Sequence, residues 1–285
     1  MNINWYPGHM AKAKRMILES VAQVDMVAEI LDARVPLSSR NVDFDGIFAS
    51  KKRLVVLNKM DLADENMTVK WERYYRDLGF SVFSFCSTRP DRNKALKAIS
   101  EAASEIVERY KAKGVNKTVR ILVAGIPNVG KSAFINAVGK GARAKTGDRP
   151  GVTRGKQWVK IPPFLEMLDT PGILWPKLEN QDHAKRLAYV GCINDEILQG
   201  ETLCAMLLEE MHTLYPGYIC RKYDIESEDI TGTAMLESIC QKRGFIGKGQ
   251  ELDFKRGVAV ILDEFRAGRL GRITLDREFF KDDEA

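Results

Sequence analysis

The residue types best able to do chemistry in this chain of 285 residues stand together at Gly125-Ile126-Pro127-Asn128-Val129-Gly130-Lys131-Ser132. An apolar run over 119–124 precedes them, and a helix-compatible segment over 133–138 follows. Strand, glycine loop and helix in that order, with the spacing G-x-x-x-x-G-K-S, predict a phosphate-binding loop. Glycines allow successive backbone N–H groups to turn inward on a polyphosphate, and the positive end of the helix adds to their pull. Lys131 supplies a point charge to the outer phosphates, and the Ser132 hydroxyl is placed to ligate Mg²⁺. Val129, Gly130 and Ala133 are expected to line the same cradle. Asn128 has two readings, a loop filler or a ligand for a monovalent cation beside the phosphates.

A second motif, Asn58-Lys59-Met60-Asp61, selects the base. Guanine presents two adjacent donors, N1–H and the exocyclic amine, which one carboxylate accepts together. Adenine presents an acceptor there and no amine, so Asp61 would face a lone pair. Asn58 can donate to the base edge, the Lys59 stem can lie over its face, and Met60 sits between them. The motif ends a short apolar run at 54–57, the carboxyl end of a predicted buried strand, where ligands bind in parallel sheets. With the phosphate loop it points to GTP and GDP. Cys86-Ser87-Thr88, after the run at 81–85, offers Ser87 as a last contact to the base. Asp169-Thr170-Pro171-Gly172 fits a γ-phosphate sensor, with Asp169 acting through a Mg²⁺-bound water and the Gly172 N–H meeting a γ-oxygen. Thr153 is the natural second hydroxyl ligand of Mg²⁺. Ile173 follows Gly172 and can neither donate nor accept, so another group must organise the attacking water.

These loops require a sheet that presents them at one edge. Strands are expected at 26–31, 54–57, 81–85, 119–124, 157–161 and 165–168, interleaved with helices at 11–24, 71–78, 94–113 and 133–138; 38–44 reads as loop. The alternation argues for an α/β fold with a mostly parallel sheet. After about residue 176 strand patterns nearly disappear, and helical periodicity takes over at 182–199, 201–214, 226–242 and 251–267. Two domains are therefore expected, 1–178 for nucleotide and 179–285 as a small all-α unit. Charge divides the same way: residues 1–177 carry a net +12 and residues 178–285 a net −7, which makes the first unit suited to a polyanion. No apolar run approaches the roughly 20 residues needed to span a bilayer, and the N-terminus lacks the apolar stretch of a signal peptide. Five scattered cysteines without a C-x-x-C pair read as reduced thiols of a cytosolic protein, and the three histidines make no metal-spaced cluster.

The motifs resemble those of GTPases, but in a different order: base motif first, then phosphate loop, Thr153 loop and D-x-x-G. That is a circular permutation, which folding tolerates because domain termini tend to lie close together. Within such permuted GTPases, Trp5-Tyr6-Pro7-Gly8-His9-Met10-Ala11-Lys12-Ala13, Asp32-Ala33-Arg34, Ser38-Ser39-Arg40-Asn41 and Phe265-Arg266-Ala267-Gly268-Arg269-Leu270-Gly271-Arg272 closely resemble the ribosome biogenesis GTPase A family. Tyr6 and Val42 depart from the family's usual Phe and Pro. The resemblance covers nearly the whole chain. It implies a GTP hydrolase stimulated by the large ribosomal subunit, which binds a late precursor of that subunit (rRNA and ribosomal proteins) with GTP and leaves on hydrolysis. It implies a cytoplasmic monomer with no membrane partner and a helical C-terminal domain that contacts RNA. It offers His9 as the group acting on water, where a lone histidine otherwise reads as structural. It also implies K⁺ at Asn128, doing the electrostatic work of an arginine finger.

Two basic stretches are the expected RNA-facing surfaces. One is Arg143, Lys145, Arg149, Arg154, Lys156 and Lys160 around Thr153. The other is 242–277, with nine Lys/Arg (Arg266, Arg269 and Arg272 among them) against five acids. Two alternatives belong to other classes: an RNA-binding structural assembly factor with incidental hydrolysis, and a GTPase of translation or tRNA modification.

Overall fold

The apolar runs form the strands, and their register decides where the loops emerge. In the computed structural model the described residues are 8–139, 157–161, 164–174, 180–194, 199–226 and 231–283, the side chains of 8–9 and 281–283 excepted. Strands β1 (Met26–Asp32), β2 (Lys52–Asn58), β3 (Ser81–Phe85), β4 (Val119–Ala124), β5 (Gln157–Ile161) and β6 (Leu165–Asp169) make one six-stranded sheet, ordered β3-β2-β1-β4-β6-β5. All pairs are parallel except β5 with β6. β1 and β4 are central and buried along nearly their whole length, as a strand covered on both faces must be.

Asp32 is in register with Asn58, Asn58 with Phe85, and Val123 with Asp169. The carboxyl ends of five parallel strands therefore finish at one edge, and every predicted nucleotide loop in the described residues leaves from it. That edge is where ligands bind in open α/β sheets.

Helices α1 (Gly8–Val21), α2 (Asp43–Ile47), α3 (Glu65–Asp77), α4 (Arg92–Lys111) and α5 (Lys131–Val138) accompany the sheet. α3 starts six residues earlier than its apolar pattern predicts, because the Asp64 carboxylate accepts from the Met67 N–H and caps a polar first turn. α2 begins in the last two residues of the segment expected to be loop, 38–44, and runs on to Ile47. It is too short for periodicity to register, and the buried rings of Phe44 and Phe48 hold it in place. From residue 180 onward the chain is helical: α6 (Gln181–Tyr189), α7 (Gly200–Leu214), α8 (Tyr218–Tyr223), α9 (Gly232–Lys242) and α10 (Phe254–Arg266). α6 stops ten residues short of the predicted end, at the turn through Gly191.

The tail does not stay with the helices. After α10 it returns to the sheet, and its 3₁₀ segment Leu275–Asp283 lays Phe279 and Phe280 against Trp71 of α3, with ring centroids 5.1 and 4.8 Å apart. Phe280 closes an apolar cluster of Leu31, Val55, Leu57, Met67, Trp71 and Tyr75. A larger cluster runs without a break from the sheet into α6, α7, α9 and α10. The expected boundary at 178 lies outside the described residues. No helix among the described residues is long and apolar enough to cross a membrane.

Candidate functional site

The phosphate loop turns as its glycines require. Gly130 caps α5 with φ 94°, and a Cβ there would lie 2.3 Å from the Asn58 amide nitrogen. A Cβ on Gly172 would meet the Pro127 nitrogen at 2.5 Å, so the D-x-x-G loop is stacked directly on the phosphate loop. Asn128 has φ 60°, a left-handed conformation that asparagine adopts more readily than most residues. The lack of a Cβ at Gly130 lets the loop backbone pack this closely at the start of α5, the end of a helix that attracts anions.

Lys131 is buried and its ammonium donates to the Ile126 carbonyl at 2.8 Å. Burial pushes its pKa down to about 8, although Asp169 pulls the other way. A buried ammonium at the start of a helix suits a polyanion. In the ligand-free protein that charge opposes folding below its depressed pKa, and the penalty fades as pH rises through about 8 towards the unfolded value. Lys131→Met should therefore abolish nucleotide binding yet raise the ligand-free stability at pH 7, by up to about 3 kcal/mol. The gain should vanish near pH 10. Thermal unfolding at the two pH values checks it; a lower melting temperature at pH 7 contradicts it.

Ser132 donates to Asp169 at 2.7 Å, bringing together the two described candidates for Mg²⁺. Among the described residues no group of three His, Cys, Asp or Glu side chains could hold a metal unaided. The donor set suits Mg²⁺, which takes one or two protein oxygens and completes its shell with phosphate and water. Thr153 lies outside the described residues, as do Arg143, Lys145, Arg149, Arg154 and Lys156.

The base loop is tied to the phosphate loop. The Asn58 amide donates to the Val129 carbonyl at 2.8 Å, and its oxygen accepts from Ser87 at 2.8 Å. Asn58 is only 1% exposed, so it braces the two loops and reaches a base edge only with its second amide hydrogen. The Lys59 ammonium spans Asp32 at 2.9 Å and the Asn128 carbonyl at 2.8 Å, which leaves its stem to line the pocket. Met60 donates its N–H to Phe85, and Asp61 presents its carboxylate 3.9 Å from the exposed Arg89. Ala133 sits in the first turn of α5.

Asp32-Ala33-Arg34 and Ser38-Ser39-Arg40-Asn41 carry weight that their types alone do not reveal. Arg34 is buried and makes two bonds to Asp32, 2.9 and 2.8 Å, then donates to the Phe265 and Arg266 carbonyls that end α10. Burial pushes the Asp32 carboxyl up, but the Arg34 and Lys59 cations outweigh it and hold it well below the usual range. Asn41 donates to the Ile173 carbonyl at 3.0 Å. The Ile173 side chain is buried, so this position serves the core and cannot orient water. α1 is moored to the same region through Lys14 and Asp43, and the Asp43 N–H bonds Asn41. His9 stands in the first turn of α1, and its side chain lies outside the described residues.

In the basic stretch 242–277, Lys248, Lys255, Arg256 and Arg269 are exposed, while four of the other cations also hold partners within the fold. Arg266 bonds the Tyr189 and Ala188 carbonyls, and Arg272 bonds the Ala63 and Met60 carbonyls. Arg243 pairs with Glu264, and Lys242 with Asp224. Sequence reasoning missed these roles because the partners are backbone oxygens or distant acids. The spacing F-R-x-G-R-L-G-R was the available signal.

Comparison with known proteins agrees with this geometry. A family model described as a 50S ribosome-binding GTPase matches residues 120–212, starting inside β4 and taking in the phosphate loop. Ribosome biogenesis GTPase A of Bacillus cereus is 41% identical over 97% of this chain and 94% of its own length. The protein of that name from Thermotoga maritima is 32% identical over 96% and 94%. A solved structure of GNP-bound YlqF from T. maritima superimposes with a TM-score of 0.67 at 30% identity, covering 93% of this chain and 97% of that one.

Proposed function

The chain belongs to the ribosome biogenesis GTPase A family, and from that premise we propose that it is a nucleotide-dependent switch in late assembly of the large (50S) ribosomal subunit. It binds the precursor with GTP and leaves on hydrolysis, which the large subunit stimulates. The observation that carries the reading is the bracing of the base loop against the phosphate loop, Asn58 to Val129 and Lys59 to Asn128. A single site then recognises guanine and polyphosphate together.

In this reading Asp61 takes the guanine donors, while the Lys59 stem, Met60 and Ser87 line the base. The backbone of Asn128, Val129, Gly130 and Ala133 cradles the phosphates with Lys131. Ser132 and Thr153 hold Mg²⁺, with Asp169 acting through water, and Gly172 donates to the γ-phosphate. Bound Mg²⁺ supplies charge neutralisation on the phosphates. Asn128 would help hold K⁺. Residues 1–178 form the nucleotide unit and 179–285 the unit facing rRNA and ribosomal proteins, in a cytoplasmic monomer.

With Ile173 buried, His9 is the group assigned to the attacking water, its neutral imidazole accepting a hydrogen bond or proton. His9→Ala should lower turnover with large subunits at least tenfold, about 1.4 kcal/mol of barrier, with GTP affinity kept within a few-fold. The same assay should run faster in K⁺ than in Na⁺ at equal ionic strength. Turnover that large subunits leave unchanged would remove the proposed coupling, and an unaltered His9→Ala rate would remove His9.

A further inference from the structure

We propose that the segment following α10 is a strap that sets the guanine-reading loop, with Arg272 as a positioning residue for base selection. This rests on residues 58–61 being the base loop. One carboxylate accepts two guanine donors only at a fixed angle, so the backbone around Asp61 must be held. The loop meets part of that need itself, with Leu62 N–H to the Lys59 carbonyl at 2.9 Å and Met60 N–H to Phe85 at 3.2 Å. The carbonyls of Leu62 and Ala63 and the N–H of Asp64 are met from the other end of the chain, which also adds a donor to the Met60 carbonyl already bonded by the Ala63 N–H at 3.3 Å.

Arg272 donates through Nε to the Ala63 carbonyl at 2.9 Å and through Nη2 to the Met60 carbonyl at 3.2 Å. The Ile273 N–H donates to the Leu62 carbonyl at 3.0 Å, and the Asp64 N–H donates to the Thr274 hydroxyl at 3.2 Å. Backbone groups on both sides of Asp61 are therefore fixed by three consecutive tail residues. The strap is itself anchored. Leu275 N–H donates to the Arg34 carbonyl at 2.8 Å, and Asp276 accepts from the Leu37 and Ser38 N–H groups at 2.8 Å each. Ile273, Thr274 and Leu275 are buried. A planar guanidinium fork can serve two carbonyls at once where an ammonium is a single point. Its pair with Glu65 is exposed and adds little.

The test compares GTP with inosine triphosphate, which lacks the exocyclic amine, on the full-length chain. The parent should prefer GTP. Arg272→Met should lower the GTP-to-inosine preference at least fivefold, with the loss falling on KM more than on kcat, and Arg272→Lys should restore part of it. Thr274→Val, nearly isosteric and removing only the hydroxyl, should move the ratio in the same direction by less, and it decides the matter if Arg272→Met does not fold. Variants that keep the parent's ratio, even with a lowered melting temperature, overturn the inference alone. A parent without preference overturns the base reading and the inference with it.

Discussion

Arg34→Met should lower the unfolding free energy by about 3–5 kcal/mol, the usual result of removing one partner from a buried ion pair. Methionine fills much of the same volume, so the loss is electrostatic. Asp32 would remain fully buried with Lys59 as its remaining counter-charge and the residue-34 N–H as a neutral donor, and the Phe265 and Arg266 carbonyls would lose a donor. The ring of Phe265, 5.4 Å from the guanidinium, would also lose its cation. The pH dependence has a definite sign. Because the folded-state pKa of Asp32 is depressed, its contribution is present above the unfolded value near 3.9 and is lost as pH falls towards the folded one. The penalty of Arg34→Met should be full at pH 7 and shrink in acid. Urea unfolding at pH 7 and at about pH 2.5, inside the window between the unfolded and folded values, measures both; a penalty under about 1 kcal/mol at pH 7 would place Arg34 among surface pairs.

Asp61→Asn should exchange one base for another. The amide loses the second acceptor that guanine needs and gains a donor suited to the O2 of xanthine. Affinity for GTP should fall about 100-fold, or 2.7 kcal/mol, while xanthosine triphosphate gains affinity. The prediction depends on a fixed loop, and the bonds from Met60 to Phe85 and from Lys59 to Asp32 supply one before any ligand arrives. Equal GTP affinity in parent and variant, measured by calorimetry, would show that Asp61 does not read the base.

Much of this was legible before the structure. Each of the six strands coincides with an apolar or alternating stretch, and the phosphate loop needed only its glycines and its flanks. The register of Asp32 beside Asn58 also followed in kind, since both motifs end buried strands. What residue type could not show is the partner each polar atom takes within the fold. Asn58, Lys59, Arg266 and Arg272 all donate to backbone carbonyls, and Lys59 also pairs with Asp32. Charge counting registers an arginine but not the carbonyl that takes its proton, and these carbonyls lie more than a hundred residues away for Arg272. The tail's return onto α3 was hidden for the same reason: Phe279 and Phe280 carry no periodic signal that names Trp71 as their partner. The contacts that join the helical part to the nucleotide loops, Arg34 to Phe265 and Arg272 to Met60, were hidden in the same way.

The central claim, that the nucleotide decides whether this protein sits on the large subunit, is tested most directly by sedimentation. Full-length protein is mixed with separated large-subunit precursors, mature large subunits or small subunits, under a non-hydrolysable GTP analogue, GDP or no nucleotide. The account predicts co-sedimentation with large-subunit particles under the analogue, loss of that association with GDP, and none with small subunits. Equal association in all three nucleotide conditions, or preference for the small subunit, would contradict it.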